Sequence, residues 1–253
     1  MAEPIGLIIG SGAVKLGLQI ESRSPAKTPY GEPSSPVLRL RIGGHSVLAI
    51  ARHGEAQNIP PHAVNYRANT WVLREHGVRQ CIAVNAVGII TAGAFEPGGL
   101  AVPDQLIDYT WGREHTFDDG SSGALRHVEF TEPFDAVLRG RLAAVAAESA
   151  AAQGRGVYGV TQGPRLETAA EIERMARDGC TMVGMTAMPE AALARELGLR
   201  YAICAVGVNH AAGRGPDGGD IHAQLDRYVA AGMAKALTMM EVLIPGLQAT
   251  AEM

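Results

Sequence analysis

Twice within residues 156–198 a short apolar run gives way to polar residues and then to an amphipathic helix, and this alternation constrains the fold most. Val157–Val160 reads as a buried strand, Gly163-Pro164 as a turn, and a helix near residues 167–177 stops at Gly179. Residues 182–185 read as a second short strand, followed by a helix opened by Pro189 and closed by Gly198. Strands alternating with helices build a largely parallel sheet covered on both faces. In such sheets ligands bind where strands end and helices begin. Gln162, Arg165, Glu167 and Thr186 stand at those places and are unlike the residues of a plain core.

The rest of the chain follows the same grammar. Residues 6–10 are an apolar run ending in Gly10-Ser11-Gly12, a strand entering a glycine turn. That turn is either structural or anion-binding, through backbone N–H groups and the Ser11 hydroxyl. It is not a dinucleotide fingerprint, because Lys15 stands at the third glycine position and no strand with a terminal acid follows. Val37–Ile42 and His45–Ala51 alternate around Gly43-Gly44, a hairpin signal, and the second arm runs into Arg52-His53. A helix is expected over residues 64–75. Strands are expected at 81–87, ending near Asn85, Ala86 and Gly88, and at 201–208, ending at Asn209. Residues 97–119 read as turns, 136–153 as an alanine-rich helix and 211–219 as a mobile loop. A last helix over 221–243 stops at Pro245, with Leu225, Val229, Met233, Leu237 and Met240 along one side. The expectation is an α/β protein, a single domain over residues 1–253. It has three αβα layers and a central sheet made mixed by the hairpin.

Composition excludes several classes. A net charge of −4 gives no general attraction to nucleic acid or anionic lipid. No apolar run approaches the length needed to span a membrane. The N-terminal IGLII is shorter than a signal-peptide core. Cys81, Cys180 and Cys204 show no CxxC spacing, and two of them sit in apolar runs, which fits a reduced compartment. A cytoplasmic location is expected.

Four presumed strand ends carry unusual chemistry: Ser11, Arg52-His53, Asn85-Ala86 and Thr186. Brought together they offer a guanidinium, an imidazole, hydroxyls and backbone N–H groups to one oxyanion. Phosphate suits that set, since arginine binds it bidentately. The bland alternatives are a solvated loop pair for Arg52-His53 and a helix N-cap for Thr186.

Four segments carry a resemblance: RHGxxxxIPPxxVNYRANxW (residues 52–71), IAVNAVG (82–88), TQGPRLETAAE (161–171) and VGMTAMPEAALARELGL (183–199). They resemble the trimeric purine nucleoside phosphorylase family, in particular its branch acting on methylthio nucleosides. The resemblance implies a phosphorylase/hydrolase-like fold and a homotrimer. It also implies cleavage of a purine nucleoside by inorganic phosphate as co-substrate, with no metal or organic cofactor. Ser11, Arg52, His53, Asn85, Ala86 and Thr186 then fall at phosphate positions. Ala86, Val87, Gly88, Leu166, Glu167, Val183, Met185 and Asn209 fall around the nucleoside. Leu166 stands where the family usually has phenylalanine. His127 matches a position reaching the neighbouring subunit's 5′ pocket, and a bland surface histidine is the other reading.

Hydrogen-bond inventories then bear on the base. Asn209 carries both an acceptor and a donor, so it accepts from purine N7–H and donates to O6. An aspartate there, as in the adenine-cleaving branch, only accepts. Glu167 as a carboxylate accepts from the N1–H of a 6-oxopurine and repels the N1 lone pair of adenine. Ala211 replaces an acid typical of the adenine branch. These choices point to a 6-oxopurine, with Asn209 and Glu167 as the catalytic pair, and the resemblance implies phosphorolysis of S-methyl-5′-thioinosine to hypoxanthine and 5-methylthioribose 1-phosphate. Inosine, guanosine and methylthioadenosine are the alternatives. His222, near the start of the last helix, can donate to a 5′-hydroxyl, and Gln57 replaces a histidine common in the methylthio branch. Both leave the 5′ substituent open.

Overall fold

The computed structural model describes residues 3–10, 18–93, 95–121, 123, 126–148, 152–153, 155–215 and 221–249. Among them, eleven strands form one mixed sheet. Strand β1 (Ile5–Ile9) is buried along its whole length, as an interior parallel strand must be. It pairs in parallel with β4 (His45–Ala51) on one side and β5 (Gln80–Ile89) on the other. The expected hairpin joins β4 to β3 (Val37–Ile42), and β2 (Ile20–Ser24) closes that edge. Beyond β5 come β10 (Met182–Gly184), β9 (Val157–Val160) and β7 (Gln105–Asp108). Strand β11 (Arg200–His210) runs along the opposite edge of β5 and pairs with β6 (Leu100–Ala101), which pairs with β8 (Ala152–Gln153).

Side-chain alternation on these strands feeds two cores. Leu7 and Ile9 of β1 join one with Met233, Met240 and Leu243, whereas Ile8 joins the other with Ile50, Leu73 and Ala191. Helices α2 (Ala136–Glu148) and α5 (Ile221–Ala249) cover the first face. Helices α1 (Tyr66–Glu75) and α4 (Ala187–Glu196) cover the second. The three-layer αβα arrangement with a mixed sheet is therefore present. Helix α3 (Ala169–Arg177) packs Ile172 and Met175 against Cys180 and Val183. Its N-terminus is closed by a capping box, in which Thr168 accepts from the Glu171 N–H and Glu171 accepts from that of Thr168.

Several elements depart from expectation. Strand β5 continues to Ile89, so Asn85 and Ala86 lie inside it, and β11 continues through Asn209 to His210. The two strands support each other over that length, which no local pattern reveals. Helix α2 stops at Glu148, and Ala152–Gln153 joins the sheet. The presumed turns at 97–119 hold β6 and β7, whose pairing is entirely non-local. Helix α5 runs past Pro245 to Ala249. The Glu241 carbonyl, which proline cannot bond, lies where a Cβ on Gly43 would be 2.6 Å away, so the hairpin glycine makes room for it. Within α5, the 22 residues Arg227–Gln248 are long and apolar enough for a membrane span, against the sequence expectation. Their buried side carries Met233, Met239, Ile244 and Leu247 into the sheet's core. The three cysteines are buried and free.

Candidate active site

The site begins as a gap in the sheet. On one edge of β5, β1 reaches only Val84, opposite Ile9, and β10 begins only at Gly88, opposite Val183. Residues 85–87 thus have a strand neighbour on the β11 side alone. Three chain segments converge there. Gly10 follows β1 and donates to the Val84 carbonyl at 3.2 Å; Arg52 follows β4 and donates to the Ile9 carbonyl at 3.0 Å. Thr186 follows the antiparallel β10 back toward Asn85. The sheet alone therefore brings Arg52, Asn85 and Thr186 together.

Their side chains form one buried network. Arg52 Nε and Nη2 donate to the two oxygens of Glu190 at 2.8 and 2.9 Å, and Nη2 also donates to Asn85 Oδ1 at 2.9 Å. Glu190 on α4 accepts a third bond from the Tyr201 hydroxyl at 2.7 Å. Burial pulls the Arg52 pKa down, but Glu190 outweighs it and leaves the guanidinium above its ordinary value. The forked edge of Arg52 therefore faces Glu190, and Nη1 is the arm directed at Gly10, where a Cβ would come within 2.9 Å of it. Asn85 Nδ2 donates to Thr186 Oγ1 at 3.2 Å and to the Tyr158 hydroxyl at 3.4 Å. Burial pushes Tyr158 up to about 12, so it stays a neutral phenol. Because Thr186 Oγ1 accepts from Asn85, its own proton remains available to a ligand.

His53 stands at the rim. Its Nδ1 donates to the Ile59 carbonyl at 2.8 Å, so Nε2 carries the lone pair in the neutral ring. Burial, and then the neighbouring Arg52 charge, hold its pKa below the ordinary imidazole value.

Across the gap sit Asn209 and Glu167. The β5–β11 register slips by one residue between Gly207 and Asn209, a bulge that re-aims the residues after it. A Cβ on Gly88 would lie 3.3 Å from Asn209 Nδ2 and 3.2 Å from Val183 Cγ1, so a larger residue would press on the amide and Val183 by a few tenths of an ångström. Asn209 Nδ2 gives one proton to the His210 carbonyl at 2.7 Å, leaving a second N–H and Oδ1 for a ligand. Glu167 lies two residues before α3 and is not its first-turn acid, a role taken by Glu171. Glu167 Oε1 instead accepts from the Thr161 hydroxyl at 2.6 Å.

These groups share a cavity of about 610 Å³, a size suited to a small organic ligand. Arg52, His53, Ala86 and Thr186 line one part, and Val87, Gly88, Val183, Met185, Glu167 and Asn209 the remainder. Leu166 stands at its mouth, 38% exposed. Asn85 lies beneath the lining, bridging Arg52 to Thr186. Ser11 and the His222 side chain fall outside the described residues. His127 is exposed and does not line the cavity of its own chain.

Sequence reasoning missed four contributors. Glu190, next to Pro189 within α4, was given no role, because nothing local marks that acid as buried. Thr161 reads as an ordinary strand end. Arg113, in a presumed turn, donates to the carbonyls of Gln162, Met185 and Met188 at 2.8, 2.8 and 2.6 Å, clamping both loops over the site. Ile221, Leu225 and Val229 of α5 face the cavity and give it an apolar wall.

An anion cradle beside an amide and a carboxylate, set in the opened edge of a mixed sheet, defines a nucleoside-phosphorylase-like α/β site. Residues 4–242 match the family model described as the phosphorylase superfamily, and the chain belongs to that superfamily. It is 51% identical over 210 residues to a probable S-methyl-5′-thioinosine phosphorylase of Pseudomonas syringae pv. tomato, covering 82% of this chain and 85% of the relative. It is 42% identical over 215 residues to a 6-oxopurine nucleoside phosphorylase of Pyrococcus furiosus, covering 83% and 80%. Among solved structures, methylthioadenosine phosphorylase from Schistosoma mansoni in complex with adenine superposes with a TM-score of 0.84. It is 28% identical and covers 96% of this chain and 92% of that one.

Proposed function

We propose that the protein is a 6-oxopurine nucleoside phosphorylase whose preferred substrate is S-methyl-5′-thioinosine. The observation that carries this reading is the single cavity shared by Arg52, His53 and Thr186 with Glu167 and Asn209. Hydrogenphosphate sits between Arg52 Nη1, the Thr186 hydroxyl and the Ala86 backbone, with Asn85 holding Arg52 and Thr186 in register; the family resemblance adds Ser11 as a further phosphate ligand. Neutral His53 accepts a hydrogen bond from the hydrogenphosphate P–OH at Nε2.

A phosphate oxygen displaces the base at C1′ through a transition state with oxocarbenium character. The C1′–N9 electron pair moves onto the purine, and the proton brought by hydrogenphosphate ends on the base. Asn209 Oδ1 accepts from N7–H while its second N–H meets O6, and Glu167 accepts from N1–H. The Asn209 N–H answers the negative charge that grows on the purine during bond cleavage, while Glu167 anchors the lactam N1–H and fixes the base's orientation. The products are hypoxanthine and 5-methylthioribose 1-phosphate, and this route employs neither metal nor organic cofactor.

The apolar wall of Ile221, Leu225 and Val229 favours a 5′-methylthio group over a hydroxyl. The relatives from Pseudomonas and Pyrococcus support the 6-oxopurine reading by their names. The working assembly is a homotrimer in the cytoplasm, with His127 of the partner subunit completing the 5′ end. His127 is exposed and does not line its own chain's cavity, which leaves it free for that role.

A panel of methylthioinosine, inosine, guanosine and methylthioadenosine, each assayed for kcat/KM with phosphate, tests the reading. Methylthioinosine should lead. A lead by methylthioadenosine would refute the base assignment, and a lead by inosine or guanosine the 5′ assignment.

A further inference from the structure

Thr161 is buried at 9% exposure, and its hydroxyl takes no part in the chemistry above. Its single proton has two acceptors in reach, Glu167 Oε1 at 2.6 Å and the Gly184 carbonyl at 3.4 Å. The first distance fits an O–H bond to a carboxylate, and the second exceeds the range of O–H···O bonds. The Gly184 carbonyl is also already served by the Thr161 backbone N–H at 2.8 Å. The proton therefore goes to Glu167.

Glu167 needs such a hold. It lines a second cavity of about 320 Å³ on its other side, together with Thr161, Arg165 and Arg174. Swung that way, the carboxylate would leave the first cavity for a wall where Arg165 and Arg174 already pair with Glu171 and Asp178. Thr161 itself cannot follow. Its N–H is tied to β10, and Arg113 holds its carbonyl at 3.3 Å and that of Gln162 at 2.8 Å.

We propose that Thr161 is a specificity-determining positioning residue. By giving its hydroxyl proton to Oε1, it keeps Glu167 turned to the base and presenting lone pairs there. A lactam N1–H is then bound and an adenine N1 lone pair rejected. This rests on the base-reading role of Glu167 proposed above.

The test compares Thr161→Val and Thr161→Ser, with Thr161→Ala if valine prevents folding, on methylthioinosine and methylthioadenosine. Valine or alanine should lower kcat/KM for methylthioinosine about 10- to 100-fold, the scale of one hydrogen bond to a charged group. The oxo-to-amino ratio should fall with it, while KM for phosphate stays put. Serine should restore most of both. In a Glu167→Gln background, Thr161→Val should add less than about 2-fold, because the two residues act as one unit. Equal losses on both substrates, no rescue by serine, or full multiplication of the two effects would overturn the proposal. If the wild type itself prefers methylthioadenosine, the base reading of Glu167 fails and this proposal with it. A wild type preferring methylthioinosine with an unmoved ratio in the variants sinks the Thr161 role alone.

Discussion

Arg52 and Glu190 meet as a fully buried pair, their side chains 1% and 0% exposed and 2.8 Å apart, at the floor of the cavity. The pair comes from residues 138 positions apart in sequence, and it turns the arginine's fork away from the ligand. Glu190→Gln keeps the volume and the Tyr201 contact but leaves the guanidinium without its counter-charge. Breaking a buried pair from one side costs about 3–5 kcal/mol. Chemical denaturation should show a loss of that size. In the folded fraction, KM for phosphate should rise more than KM for the nucleoside, because Arg52 loses its aim.

His53 makes stability pH-dependent in a definite direction. Its pKa lies below the ordinary 6.5 in the folded chain, through burial and then Arg52. Above 6.5 neither state carries the proton, and the contribution is fully present. As pH falls through 6.5, the unfolded chain takes up a proton that the folded chain resists, so stability drops until the folded pKa is passed. The difference in Tm between wild type and His53→Gln, followed from pH 7.5 to 5, should therefore shrink on the acid side.

Asn209→Asp replaces a donor-acceptor pair by acceptors. Cleavage of methylthioinosine should fall at least 100-fold, within the roughly 10⁴-fold range seen when buried polar groups are mispaired. Methylthioadenosine should gain relative to it without becoming a good substrate, since Glu167 still faces its N1. Steady-state kcat/KM on both nucleosides reads this directly.

The 5′ wall is tested by Leu225→Ser. Removing apolar contact with a methylthio group should lower its kcat/KM by about 10- to 200-fold. Inosine, with a hydroxyl in that position, should lose far less. The ratio of the two substrates is the measurement.

How much of this was legible depended on how local each signal was. The β3–β4 hairpin could be read because alternation and Gly43-Gly44 lie within fifteen residues. Asn209 stood out as a polar residue closing a strand and Glu167 through the family resemblance, and both line the same cavity. Asn85 was recognised as a site residue, but its place inside β5 was not, since the strand is extended by pairing with β11 and opened by two partners that stop short. Glu190 was invisible because its burial comes from pairing with Arg52, 138 positions away, and from Tyr201 on the next strand. Leu225 and Val229 were placed on one side of the last helix by their spacing, and they pack against the core as well as lining the cavity. Helical period tells which residues share a face, not whether that face meets the sheet or a cavity. That Glu171 and not Glu167 serves the helix start depends on where α3 begins, which the Thr168 capping box fixes.

Phosphorus NMR on a reaction of the wild type with methylthioinosine and inorganic phosphate tests the central claim most directly. A sugar 1-phosphate signal should grow one-for-one with released hypoxanthine, and no hypoxanthine should appear when phosphate is withheld. Hypoxanthine released at an undiminished rate without phosphate, with a free reducing sugar as partner product, would contradict the account.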